Sequence, residues 1–180
     1  MKNLFSLLSL STFLILTGCG GDGVSSGSSE RTQWDIRKEL MEVQTELAEF
    51  SSEHNLLEKE GVVKAEEAYM DMVQTFNQTR REHPELAPIF EEADEFQSQS
   101  IQKRVAGDNA GFDELMGKYR EARTRLEQKA SQLPEMQELG KKVKEAEQAS
   151  ITAIADAAAE VNAEGEKLAK KIKELLAELN

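Results

Sequence analysis

From Trp34 onward, apolar residues recur along the chain at steps of three and four, the spacing that places them on one face of a helix. The first segment keeps this rhythm most regularly. Its positions are Ile36, Leu40, Val43, Leu47, Phe50, His54 and Leu57. Alternating steps of four and three are the heptad pattern of coiled coils. They predict a first helix that ends at Gly61.

Prolines and glycines divide the middle of the chain into further helices. A second helix is predicted over residues 62–82, because Pro84 disfavours helical backbone in the residue before it. Pro84 itself can open a third helix at its first turn. A loop over residues 107–111 follows, with Asn109 as the predicted N-cap of the next helix. The apolar positions predicted for the third helix are Leu86, Ile89, Ala93, Phe96, Ile101 and Val105.

The last third of the chain predicts two more helices. The fourth covers residues 112–132, and Pro134 opens a fifth that can run to the end of the chain. Its final turns carry an amphipathic stripe, surrounded by lysines, of Leu168, Ile172, Leu175 and Leu179. Two interpretations stay open. The stripe packs on the first helix, which is long and needs an equally long helix to cover it, or the stripe binds a partner protein.

When the sequence is aligned with itself at a shift of 50 residues, the glycines and prolines that interrupt the predicted helices coincide. Gly61 falls on Gly111, and Pro84 falls on Pro134. The pattern indicates two similar helical hairpins, 61–106 and 111–156, which are either a true duplication or two unrelated heptad hairpins with equally spaced breaks. The predicted fold is therefore all-α: an elongated antiparallel helical bundle of coiled-coil hairpins, with about five helices, over residues 34–180.

The first 18 residues have the layout of an export signal. Lys2 is followed by a mostly apolar run over residues 4–16 and by the small residues that precede Cys19. The run is too short and too interrupted by serines to favour a transmembrane helix. The four residues Leu16-Thr17-Gly18-Cys19 resemble the lipobox of bacterial lipoproteins. The resemblance implies a signal peptide over residues 1–18, cleavage before Cys19 and attachment of lipid to its thiol.

The segment that follows is rich in glycine and serine. Residues 19–33 are therefore expected to consist of the lipidated cysteine and a flexible tether, which holds the folded domain close to a membrane. In bacterial lipoproteins of two-membrane cells, an aspartate after the cysteine often signals retention at the inner membrane, and this chain has Gly20 there. The resemblance therefore favours the outer membrane, facing the periplasm, although the inner membrane stays open.

Charge narrows the range of partners. The net charge is −12, and the chain beyond residue 18 keeps 21 basic against 34 acidic residues. An acidic chain lacks the basic surface that nucleic acid or anionic headgroups require, so no nucleic acid is expected as a partner. The expected contacts are the membrane, through lipid on Cys19, and a protein partner or a second copy of the chain, through the helices.

Residues with catalytic or metal-binding potential are few. Only two histidines occur, and neither belongs to a helical metal-binding motif; His54 lies on the first apolar stripe and His83 in a turn that we expect to be exposed. An acidic run could attract cations, but a solvated helix face is the simpler interpretation; it comprises Glu85, Glu91, Glu92, Asp94 and Glu95. No catalytic, cofactor-binding or metal-binding residue is assigned, and Cys19 is the one predicted site.

Taken together, the sequence predicts a membrane-anchored lipoprotein of the cell envelope that acts as a non-enzymatic structural or protein-interaction module, tethering or scaffolding other proteins. The alternative is a ligand-binding or carrier bundle with an apolar pocket between the hairpins. An apolar pocket of several hundred Å³ with a few convergent polar groups would favour the carrier, and a filled core would favour the scaffold.

Overall fold

The computed structural model of the protein describes residues 31–179. Regular structure in that range is entirely helical, which confirms the all-α bundle. The helices are α1 (Gln33–Glu53), a 3₁₀ turn (Leu56–Glu58), α2 (Glu60–Glu82), α3 (Ala87–Val105), α4 (Asn109–Ala130), α5 (Pro134–Ala159) and α6 (Ala163–Glu178). The predicted signal peptide, Cys19 and most of the predicted tether lie outside the described residues.

The start of α1 is fixed by a reciprocal capping box. The Thr32 hydroxyl accepts a hydrogen bond from the Asp35 backbone N–H at 3.2 Å, and the Asp35 carboxylate accepts one from the Thr32 N–H at 3.0 Å. The hydrogen bonds from Thr32 also lower the pKa of the Asp35 carboxyl. Thr32 and Gln33, predicted as the end of the tether, are therefore the N-cap and the first residue of α1.

The end of α1 corrects the sequence prediction. The helix stops at Glu53 instead of continuing to Gly61, and His54 is its exposed C-cap residue. Asn55 follows with a φ of 53°, a left-handed conformation that asparagine tolerates better than most residues. Gly61 lies in the first turn of α2, so it does not terminate the first helix.

Two further helix starts differ from the prediction by a few residues. Pro84 lies in the turn after α2, and α3 begins at Ala87 with Pro88 in its first turn. The N-cap of α4 is Asp108 rather than Asn109, because its carboxylate accepts the Gly111 N–H at 2.9 Å. A hydrogen bond from Lys103 and this bond from Gly111 lower the pKa of the Asp108 carboxyl.

The predicted fifth helix is two helices. α5 ends at Ala159, and Asn162 caps α6 by accepting the N–H groups of Glu164 and Gly165 at 2.9 and 3.0 Å. An asparagine N-cap with acidic residues in the first turn is a common helix start. The chain therefore reverses direction at Asn162, where the apolar spacing alone predicts that the fifth helix continues.

The described residues form two compact units. Unit 1 comprises residues 31–68 and 146–179, and in it α6 packs against α1. This pairing confirms the first interpretation of the terminal stripe: Ile172 and Leu175 are buried, as are the α1 residues Leu40 and Val43. The core of unit 1 also includes Ile36, Leu47, Phe50, Leu56, Val62, Ile151, Ile154, Ala155, Ala157, Ala158, Ala169 and Leu176.

Unit 2 comprises Tyr69–Glu145, and its dominant pair is α3 against α4. A core cluster joins residues of α3, α4 and α5 with the α2–α3 turn: Leu86, Phe90, Leu126, Ala130 and Met136. Ile101 and Val105, predicted to be buried, are exposed, and Ser100 is buried in their place. The predicted hairpins 61–106 and 111–156 each contribute residues to both units, and their duplication stays a prediction.

Unit 1 contains a backbone contact that only glycine can make. A Cβ on Gly165 would lie 2.0 Å from the carbonyl oxygen of Ala158 and 3.0 Å from the ring of Phe50. A separation of 2.0 Å is well below the shortest contact that a carbon and an oxygen can make without bonding. The Ala158 carbonyl belongs to the backbone, so it cannot move aside as a flexible side chain can. The start of α6 therefore touches the end of α5 through backbone.

We expect Gly165→Ala to destabilise unit 1 by about 1–3 kcal/mol, because the added methyl overlaps the Ala158 carbonyl. Chemical denaturation followed by circular dichroism measures the change. The matched control is Gly117→Ala in α4, where a Cβ meets nothing within 4 Å. That variant should gain about 0.5–1 kcal/mol from helix propensity. Equal effects of the two substitutions would contradict the close contact.

Candidate functional site

The two histidines occupy different environments. His54 is exposed, and its ring lies 4.3 Å from the ring of Phe50, at the edge of unit 1. His83, predicted to be exposed, is half-buried, and its Nδ1 accepts the Glu85 backbone N–H at 3.2 Å within the α2–α3 turn. These contacts give each ring a structural position beside a helix end.

Three acids of the run form ion pairs with basic residues of neighbouring helices. Glu92 contacts Arg125 at 2.6 Å, and Asp94 contacts Arg81 at 3.7 Å. Glu85 lies 2.6 Å from Lys129, whose hydrogen bond lowers the pKa of the carboxyl. Across residues 31–179, no group of three or more histidines, cysteines or acids could hold a metal ion.

A buried charge in unit 2 escaped the sequence analysis. Arg80 is only 5% exposed, and its guanidinium forms an ion pair with Glu127 of α4. The guanidinium carbon lies 6.0 Å from the ring centre of Phe76 and 5.4 Å from that of Phe90, within the range of cation–π attraction. Arg80 is four residues after Phe76, which is the one sequence signal that places it on the same helix face.

The terminal helix meets α1 through charge as well as apolar packing. Lys171 pairs with Glu39 at 3.0 Å. Arg31 pairs with Glu39 and, at 3.3 Å, with Glu178. A surface groove of about 260 Å³ lies here, lined by Arg31, Glu39, Lys167, Lys170, Lys171, Glu174, Leu175 and Glu178. Its lining is almost entirely charged and of mixed sign.

Three alanines of α5 lie in the core of unit 1. Ala155 and Ala158 are fully buried and Ala157 nearly so, which lets α6 approach closely at Gly165. Two serines share this core: the hydroxyls of Ser51 and Ser150 are buried and have no hydrogen-bond partner among the described residues. Unpaired buried hydroxyls are costly and uncommon.

Comparisons of the chain with protein families, curated proteins and solved structures found no match. In the described part of the chain, none of the helices has the length and hydropathy needed to cross a bilayer. Cys19, the one site residue that the sequence predicts, lies outside the described residues.

The Arg80–Glu127 pair yields a prediction for the stability of unit 2. Glu127→Ala leaves the buried Arg80 guanidinium without its ion-pair partner, and we expect it to lower the free energy of unfolding by about 1–3 kcal/mol. The loss should be smaller than for a fully buried pair, because the Glu127 side chain is 37% exposed. Arg80→Met removes the charge together with its need for a partner, so it should cost less than Glu127→Ala. Urea unfolding measures both.

The control for this pair is Arg123→Ala. Arg123 also contacts Glu127, at 3.7 Å, but on the exposed side, so its loss should cost about 0.5 kcal/mol or less. If Glu127→Ala is no more destabilising than Arg123→Ala, the buried pair does not stabilise unit 2.

Proposed function

We propose that the protein is a lipid-anchored lipoprotein of the cell envelope that acts without catalysis, as a structural or protein-interaction module. The observation that carries the anchor is the sequence Leu16-Thr17-Gly18-Cys19 after an apolar run, with Cys19 as the chain's one cysteine. An exported chain has little use for a single unpaired thiol unless that thiol is modified.

The folded part supports a scaffolding role in this proposal. Each unit buries its apolar stripes between helices, as α1 and α6 do in unit 1. Such helices offer rigid, mostly charged surfaces to other proteins. Exposed apolar side chains that could contact a partner are Met70, Ile101 and Val105 of unit 2. The domain would act close to the membrane, with the outer membrane favoured in a two-membrane cell.

The carrier function is the second candidate, and one observation favours it. The unpartnered hydroxyls of Ser51 and Ser150 in the unit 1 core are the kind of polar groups that orient a bound molecule. The groove beside α6 argues the other way, since its lining is charged rather than apolar. We favour the scaffold because the apolar stripes are already buried against neighbouring helices, which leaves little apolar surface for a ligand.

Replacing Cys19 tests the anchor. In cells, Cys19→Ser should accumulate as unprocessed precursor and take up no labelled fatty acid, because no second thiol exists in the chain. Gly18→Ala keeps a small residue before the cysteine and should still be processed and labelled. Acylation of the Cys19→Ser protein would contradict the anchor.

In-cell crosslinking tests the interaction role. A photocrosslinking residue in place of Val105, which is 84% exposed, should give a discrete protein adduct in intact envelopes. The same residue in place of Gln99, an exposed polar position on the same helix, should give less. The mass of the adduct separates a second copy from another protein. Absence of adducts from Met70, Ile101 and Val105 would contradict a partner at this surface.

A further inference from the structure

Trp34 is the chain's single tryptophan, and it is left in solvent. It lies in the first turn of α1 and is 69% exposed. Tryptophan has a large apolar ring with one N–H donor, and it concentrates where apolar and aqueous phases meet, notably at membrane interfaces. An exposed tryptophan that contributes so little to its own core is a candidate for an external apolar contact.

The residues around Trp34 extend this surface. Lys38 places its ammonium 6.0 Å from the centre of the indole ring, and Met41, one turn further along, is 43% exposed. Steps of four and three put Trp34, Lys38 and Met41 on one face of α1. Ile36, Leu40 and Val43, buried in the core, occupy the opposite face. The face formed by Trp34, Lys38 and Met41 is called the outer face of α1 below.

The outer face begins close to the predicted anchor. Eleven residues separate Cys19 from Arg31, whose ion pairs with Glu39 and Glu178 attach the chain to unit 1 at this point. A glycine- and serine-rich chain of that length has a root-mean-square span of about 17–20 Å. So short a connection gives the start of α1 a high effective concentration at the bilayer, where even a weak contact is populated.

We propose that the outer face of α1 docks on the phospholipid bilayer, with the Trp34 ring at the level of the headgroups. This inference rests on the lipid anchor of the proposed function. Lys38 suits such a position, because its aliphatic stem can lie along the apolar boundary while its ammonium contacts phosphate. Docking would fix the orientation of unit 1 on the membrane instead of leaving it free on its tether.

The tryptophan is its own probe. Full-length lipidated protein is reconstituted into phosphatidylcholine vesicles, with or without bromine on the upper part of the acyl chains, and flotation measures attachment. We expect the Trp34 emission to shift to shorter wavelength in vesicles and to lose intensity with the brominated lipid. Floating protein with an unshifted, unquenched Trp34 would overturn the docking and leave the anchor intact; protein that does not float would overturn the anchor and the docking with it.

A matched variant locates the contact along the helix. In Trp34→Phe/Glu49→Trp the probe moves to another exposed position of α1, fifteen residues further on, or about 22 Å along the axis. Quenching should fall several-fold relative to the native chain. Equal quenching at both positions would overturn docking through the start of α1. Circular dichroism shows whether the variant is folded, and both substituted side chains are exposed in the native chain.

Discussion

The contact between Gly165 and the Ala158 carbonyl is the constraint on which unit 1 depends. Because α6 starts against the backbone of α5, the chain can reverse within three residues, and the stripe of α6 then faces α1. If α5 continued instead of reversing, Ile172 and Leu175 would not pack against α1. The buried alanines of α5 serve the same purpose, since larger side chains would hold α6 away.

Unit 2 is specified in a different way. Its core cluster is smaller than that of unit 1, and a buried guanidinium lies 6.0 and 5.4 Å from the ring centres of Phe76 and Phe90. Arg80 of α2 forms an ion pair with Glu127 of α4 while its guanidinium lies over the rings of Phe76 and Phe90. A buried charge rarely adds much stability over an apolar replacement, but its need for one partner penalises alternative registers, a role we assign to it as a hypothesis.

The heptad pattern and the prolines predicted the helical content, most buried positions and two helix ends, Glu82 and Pro134, but neither the other helix ends nor the buried polar residues. The other helix ends depend on single polar residues, such as Asn55 with its left-handed backbone and Asn162 with its capping side chain, while the apolar residues around them keep nearly regular spacing. Periodicity counts apolar residues, so it extended the stripe of α3 to Val105 and passed over Ser100, whose hydroxyl donates to the Gln97 carbonyl at 2.8 Å. Ser100 can occupy a core position because its hydroxyl finds a backbone partner, and spacing alone does not reveal that partner.

The acidity of the chain limits where it can touch a membrane. Anionic headgroups repel most of a surface in which acids outnumber bases, so a docked orientation needs a local exception. The start of α1 is such an exception in our proposal: Asp35 is engaged in the cap, Glu39 is neutralised by Arg31 and Lys171, and Trp34 and Lys38 face outward.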